Sequence, residues 1–416
     1  MLVKIGAIDE DGYGVGALGK KRILIPYTLP GETVEIRKIK KKKETFIALD
    51  FTIVEPSPQR RSPTCKYFGK CGGCALQHVP YELQLEIKAK KIEKATGHPV
   101  EILTTSKIYG YRNRIDLVTS TQGIGFRVKG FWWKVIDIES CPIFGEKSKR
   151  AIETLKRFVR EENLSLYNIR KNEGFLRYMV IREGKFTGET MVTLVTSTKG
   201  NIPDSLPNYF NWVDSLNWSI NPTKSDVSWG SIKKTWGKEY IREKILDVEY
   251  LIHPNSFFQT NSYALPLLLR TVEEYIEGEK ILDMYCGVGT FGIYLAKKGM
   301  KVTGFDSNEF AIEMARMNSN LNNVKVEFKV ETDREVKVDG YDTVIVDPPR
   351  AGLHPKFLSR LIKSRPAVII YVSCNPETLK RDLKKLKKIY DVENTRAIDM
   401  FPHTPHVETV VKLLKR

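Results

Sequence analysis

The chain has 416 residues, too many for one ordinary hydrophobic core, so roughly two to four domains are expected. A hydrophobic content of 41% is that of a globular protein, and no apolar run approaches the roughly 20 residues needed to span a bilayer. Basic residues outnumber acidic ones 67 to 50, and the net charge of +17 points to a polyanionic partner, most simply nucleic acid.

The opening residues, Met1-Leu2-Val3-Lys4 and then Asp9-Glu10-Asp11, lack the charged and apolar regions of a signal peptide, so a cytoplasmic protein is expected. Glutamine is confined to Gln59, Gln77, Gln84, Gln122 and Gln259 while lysine and glutamate abound, a bias typical of hyperthermophiles.

In residues 1–55, Gly12, Gly14, Gly16 and Gly19 punctuate short β-prone pieces, and Pro30-Gly31-Glu32 signals a turn. Thr33-Val34-Glu35-Ile36 alternates as a strand does, and Lys38 and the lysines at 40–43 follow it. This predicts a small OB-like β-barrel whose basic hairpin either holds a phosphate backbone or keeps a sheet edge soluble. Pro56-Ser57-Pro58 marks the linker to a central segment, taken as residues 56–250.

Cys65, Cys71 and Cys74 fall within ten residues, and Cys141 lies far downstream in Ser140-Cys141-Pro142. In a cytosolic chain such crowding argues for metal ligation rather than disulfides. Four thiolates suit tetrahedral zinc or a [4Fe–4S] cluster. A three-cysteine loop with one remote ligand before proline favours the cluster over the paired hooks of zinc sites. Helical spacing begins at Tyr81 and ends at Gly97. Residues 109–247 read as strand-rich, within an α/β central domain. There Arg112, Arg114, Arg127 and Lys134 interleave with aromatics that either stack bases or, for Trp132 and Trp133, fill a core.

Residues 251–416 read as an α/β domain with a parallel sheet. Lys280-Ile281-Leu282-Asp283-Met284-Tyr285 is a strand, Cys286-Gly287-Val288-Gly289-Thr290-Phe291-Gly292 a glycine-rich turn, and residues 291–298 a helix. The next strand ends at Asp306, placed to accept hydrogen bonds from a ribose diol. A carboxylate at Asp283, ahead of the glycines, disfavours a pyrophosphate and suits a cationic donor such as S-adenosylmethionine; Asp333 is a candidate adenine contact. Further on, an aliphatic strand ends in Asp347-Pro348-Pro349-Arg350, and another delivers Cys374 in Ser373-Cys374-Asn375-Pro376. A lone thiol at the carboxyl end of a parallel strand is a candidate nucleophile, although free cysteine is also a common core residue.

Taken together, the cysteine loop, Phe257-Phe258-Gln259-Thr260-Asn261, the Asp283–Gly289 motif, Asp347-Pro348-Pro349-Arg350, Ser373-Cys374-Asn375-Pro376 and His406-Val407-Glu408-Thr409 resemble the RNA uracil-C5 methyltransferases. The resemblance spans nearly the whole chain, in the branch with an N-terminal TRAM domain and a [4Fe–4S] cluster. It implies a Rossmann-like class I methyltransferase domain and methyl transfer from S-adenosylmethionine to C5 of a uridine. Cys374 would be the nucleophile, Glu408 the base, and Gln259, Tyr285, Asp306 and Asp347 the donor-binding residues, with Arg350 assisting near the base. Cys65, Cys71, Cys74 and Cys141 would hold the cluster. Among RNAs, uridine 54 of the tRNA T-loop is the expected target and 23S rRNA the alternative. A cluster-bearing RNA-binding protein without activity is a more distant alternative. Neither a membrane nor a protein partner is expected.

Overall fold

A computed structural model describes residues 1–416, which form three sheets of six, seven and eight strands and one separate hairpin. The N-terminal sheet runs in the order Leu2–Lys4, Thr33–Lys42, Thr45–Glu55, Lys21–Pro26, Tyr13–Leu18, Ala7–Ile8. Alternation puts Val34 and Ile36 inside with Val3, Ile5, Ile23, Ile25 and Ala48, while Lys38 and the lysines at 40–43 stand exposed on the hairpin. Gly14 and Gly16 are required on their strand, because a Cβ there would lie 2.0 Å from Thr28 Oγ1 and 2.3 Å from Val3 Cγ1.

The seven-stranded central sheet is antiparallel except between Thr190–Thr196 and Ser215–Ile220. Helix Lys147–Glu161 covers one of its faces through Ala151, Ile152, Leu155 and Phe158.

The C-terminal sheet is ordered Glu327–Val330, Lys301–Asp306, Lys280–Met284, Thr343–Val346, Val368–Ser373, Glu408–Lys415, Tyr390–Ile398, Glu101–Leu103. Its first five strands are parallel and Glu408–Lys415 runs antiparallel to both neighbours. The chain leaves Lys280–Met284 to Lys301–Asp306 on one side and returns to Thr343–Val346 on the other. That reversal opens a crevice at the carboxyl ends of the central strands. These strands are apolar on both faces because helices cover both. Ile281, Ile345, Ile370 and Val372 pack toward helices Leu265–Tyr275, Thr290–Lys297 and Glu309–Leu321. Leu282, Val344, Ile369 and Tyr371 pack toward helices Pro355–Ser364 and Pro376–Leu386.

The sequence-based division at residue 250 differs from the packing. Strand Glu101–Leu103 extends the C-terminal sheet, and helix Tyr81–Thr96 joins it through Ile92 against Ala397 and Val407. Hairpin Ile241–Ile245/Val248–Ile252 buries Ile241, Ile245, Val248 and Tyr250 in the C-terminal core. Neither excursion is visible in sequence, since both depend on which distant strand has a free edge or face.

Candidate active site

The first site segment is the turn after Lys280–Met284. Asp283 is fully buried, accepting a 3.1 Å hydrogen bond from the Gly292 N–H on one oxygen and leaving the other without a partner. Burial, with Asp347 nearby, pushes its carboxyl up to about 8. Tyr285 adopts the left-handed region (φ 65°), at a cost on the order of 1–2 kcal/mol for a non-glycine residue. Its hydroxyl donates to Asp333 over 2.8 Å. Gly289 is also left-handed, and a Cβ there would meet Ile293 and Phe328 at 2.8 Å. Cys286 is buried against this turn as a packing residue. Asp306 accepts from Gly287 N–H at 3.0 Å on one oxygen and from Asn308 N–H at 2.9 Å on the other, so both retain lone pairs facing the crevice end of the strand. Gln259 is buried in the loop before helix Leu265–Tyr275, its carbonyl held by Asn113 Nδ2 at 2.7 Å.

The second segment is the acceptor side. Asp347 is half-buried just past Thr343–Val346, and burial pushes its carboxyl up to about 7. Ser373 pairs with Thr409, so the antiparallel register, extended one step, sets Cys374 opposite Glu408. Cys374 is partly exposed; burial and the Glu408 charge push its thiol up to about 11, with Arg350 pulling the other way. Glu408 is 4% exposed, Oε1 has no partner, and burial raises its carboxyl well above the usual range. A buried carboxyl with raised proton affinity and an orphaned oxygen beside a thiol is a poor structural element, and its ionised form is a strong base for a proton that a bound substrate brings into the space. Asn375 caps helix Pro376–Leu386 and, through Nδ2, anchors the Arg350 carbonyl at 2.8 Å, tying the two strand-end turns together.

Cys374 and Arg350 line a cavity of about 380 Å³ that also receives Lys91, Lys94, Lys380 and His406. Burial and the neighbouring cations lower His406 to about 4, so it is neutral at physiological pH. Sequence reasoning assigned none of the four a role; His406 opens the His406-Val407-Glu408-Thr409 motif, but the three lysines sit in no motif, and Lys91 and Lys94 come from a helix some 280 residues away from Cys374 in the chain. Helix Tyr81–Thr96 is pinned by a fully buried pair, Lys88 Nζ to Asp399 Oδ1 at 2.6 Å, with Phe401 O accepting at 3.0 Å and Tyr81 donating to the second Asp399 oxygen at 2.7 Å. That network fixes the segment leading into Glu408.

Cys65, Cys71, Cys74 and Cys141 line one cavity of about 410 Å³ in the central region. Gly72 N–H donates to Arg127 O at 3.0 Å and Gly73 N–H to Cys71 Sγ at 3.4 Å, folding the loop around it. Burial pushes Cys74 up to about 11 and Cys141 up to about 12, each thiol also opposed by its neighbours. Arg112 lines the same cavity with its Nε unpartnered. No three His, Cys, Asp or Glu side chains lie close enough to hold a single metal ion.

The basic residues of the central sheet differ from expectation. Arg114 pairs with Asp116 at 2.7 Å and Arg127 with Asp226 at 3.0 Å, so both are engaged within the central region in the RNA-free structure. Trp132 is 59% exposed rather than core.

The family profile described as tRNA (Uracil-5-)-methyltransferase matches residues 325–416, a TRAM-domain profile of tRNA (uracil(54)-C(5))-methyltransferase matches residues 1–59, and a methyltransferase small domain matches residues 259–368. The tRNA (uracil(54)-C(5))-methyltransferase of Pyrococcus abyssi is 58% identical over 99% of both chains. The crystal structure of Pyrococcus abyssi tRNA (uracil-54, C5)-methyltransferase with S-adenosyl-L-homocysteine superposes with a TM-score of 0.90, 55% identity and full coverage of both chains. The 23S rRNA (uracil(747)-C(5))-methyltransferase of Pyrococcus horikoshii is 43% identical over 99% of both chains.

Proposed function

The chain belongs to the RNA uracil-C5 methyltransferase family, and on that premise we propose that it methylates C5 of uridine 54 in the T-loop of tRNA, using S-adenosylmethionine. The observation that carries the chemistry is the opposition of Cys374 and Glu408 across adjacent strands, beside the Asp347 turn. Preference for tRNA over 23S rRNA rests on 58% against 43% identity to the respective relatives.

Uracil C5 is a poor nucleophile until electron density is pushed into it. Cys374, once its proton has passed to solvent, supplies that density as the thiolate: its sulfur bonds to C6 while the C5–C6 π electrons shift toward the C4 oxygen, which makes the ring an enolate. S-adenosylmethionine, when bound, supplies an electrophilic methyl on a sulfonium, and C5 takes it as the S–CH3 bond breaks. Glu408 then accepts the proton on C5; the returning electrons re-form the C5–C6 double bond and expel the Cys374 thiolate. Glu408 acts as the ionised carboxylate, and burial raises its affinity for the proton it takes. Asp306 suits the ribose diol, with one backbone donor already on each oxygen and lone pairs to spare. Tyr285, Gln259 and Asp347 complete the donor side, the acids at Asp347 and Asp283 offering negative charge to a cationic ligand. The target base must leave its stack to reach Cys374.

We infer further that Cys65, Cys71, Cys74 and Cys141 hold a [4Fe–4S] cluster. The donor set supports it: four thiols line one cavity, and Arg112, its Nε unpartnered, lines the same space. Equal amounts of iron and acid-labile sulfide in anaerobically purified protein are expected; stoichiometric zinc would exclude the cluster.

The deciding assay is transfer of labelled methyl from S-adenosylmethionine to unmodified tRNA and 23S rRNA transcripts, with the modified uridine mapped. Label at tRNA uridine 54 is expected. Label confined to rRNA, or absent from both, refutes the proposal.

A further inference from the structure

We propose that Lys91 and Lys94, with Lys380 and Arg350 from the opposite wall, form a phosphodiester-binding site beside the target uridine, and that Glu10 and Asp11 of the N-terminal barrel occupy it until RNA displaces them. The inference rests on Cys374 being the site of RNA chemistry, since all six residues line the same cavity as that thiol.

Lys91 and Lys94 lie three residues apart on helix Tyr81–Thr96 and so project from one face. Lys91 Nζ donates to Asp11 Oδ1 at 2.9 Å and Lys94 Nζ to Glu10 Oε1 at 2.7 Å. The side chains of Glu10 and Asp11 have no other partner, so the barrel's own fold does not require carboxylates there. Their presentation is nevertheless rigid. Asp9 Oδ1 accepts the N–H groups of Asp11 at 3.0 Å and Tyr13 at 2.8 Å. Gly12, at φ +79°, presses on the cysteine loop so closely that a Cβ would lie 2.5 Å from Leu76 Cδ2. Across the cavity, Lys380 and Arg350 line the same space, alongside Glu377 from the helix that carries Lys380.

A flipped nucleotide with its base at Cys374 carries phosphates on both sides of its sugar, and these must sit at the mouth where the lysines are. Carboxylates already on those lysines stand in for phosphate. Exposed ion pairs of this kind are weak and yield to a doubly charged competitor, whereas an RNA presenting one misplaced phosphate meets two fixed negative charges. The acidic tip therefore acts as a gate that only a correctly placed backbone opens.

The test is equilibrium binding of an unmodified tRNA transcript to the full-length protein at low salt. Glu10→Gln/Asp11→Asn should tighten Kd about three- to tenfold, with the gain fading as salt screens the charges. Lys91→Ala/Lys94→Ala should weaken binding and reduce the slope of log K against log salt by about 1.4, two single-strand phosphates at about 0.7 each. Unchanged or weaker binding by the acid-tip variant overturns the gate, and thermal melting of that conservative variant verifies that it folds. An unchanged salt slope in the lysine variant overturns the phosphate site. Methyl mapping on the wild type separates the two levels. Absence of 5-methyluridine at position 54 refutes the catalytic reading, whereas its presence with a failed binding prediction refutes this inference alone.

Discussion

Donor affinity should rise with pH across the neutral range, because the donor site holds protons where a cationic ligand needs carboxylates. In the empty protein burial holds Asp347 at about 7 and Asp283 at about 8. Both are raised, so both are neutral at low pH and ionise as the pH passes those values. A ligand carrying a sulfonium and an ammonium binds the ionised form and must release the protons. For Asp347 alone, the ionised fraction goes from about one in eleven at about pH 6 to about three in four at about pH 7.5, an affinity gain of about eightfold. If Asp283 must also ionise, it multiplies this by on the order of twentyfold, with mutual repulsion of the two acids lowering the product. The window stops short of the donor's own amine titration near pH 8. Isothermal titration calorimetry with S-adenosylhomocysteine cannot report the sulfonium, so S-adenosylmethionine is the ligand, titrated in buffers of different ionisation enthalpy to count released protons. Asp347→Asn should bind more weakly at pH 7.5 and lose the roughly eightfold share of the pH dependence that Asp347 contributes. A flat Kd across this window with no proton release would refute the reasoning.

Other consequences are equally accessible. Cys374→Ala should lower methyl transfer by more than about a thousandfold while leaving donor binding intact, measured by single-turnover kinetics. Glu408→Gln should accumulate a denaturant-resistant protein–RNA adduct, because C6–S cleavage waits on removal of the C5 proton; turnover at the wild-type rate would exclude it as the base. Lys88→Ala leaves Asp399 charged and unpaired in a fully buried site, and should destabilise the fold by about 3–5 kcal/mol in chemical denaturation. Replacing both partners by apolar residues should recover much of that loss. Because Asp283 is raised in the folded state, the stability it contributes is present below about pH 4 and lost as pH rises through about 8, by up to on the order of 5 kcal/mol. Asp283→Asn should flatten this dependence in the ligand-free protein.

Much of the fold was legible in sequence because its signals are local. The glycine-rich turn after Lys280–Met284, the acid closing Lys301–Asp306 and the polar ends of Thr343–Val346 and Val368–Ser373 each lie within a few residues of the strand that positions them. In a parallel sheet those strand ends share one edge, so reading the motifs also reads their convergence. Helix Tyr81–Thr96 was likewise marked by its periodicity and by Gly97, whose φ of 65° ends it in the left-handed region.

What required the tertiary structure is everything set by pairing between distant segments. Glu408 is singled out in sequence only through the family resemblance; antiparallel register sets it opposite Cys374 and burial raises its proton affinity. That Arg114 and Arg127 are ion-paired, with Asp116 and with Asp226 99 residues further along the chain, is invisible in sequence. Whether Trp132 fills a core or stands exposed is open in sequence; its hairpin leaves it in solvent. Asp9-Glu10-Asp11, unremarkable at an amino terminus, ends against Lys91 and Lys94 beside the Cys374 thiol. Sequence by itself determined the strand–turn–helix units, the four-cysteine set and the chemistry carried by contiguous motifs, because backbone geometry links neighbours within a few residues. Only the tertiary structure decided which charges are paired, which are buried and which face the cavity, because charge energetics depend on distance through space and on exclusion of water, neither of which is written along the chain.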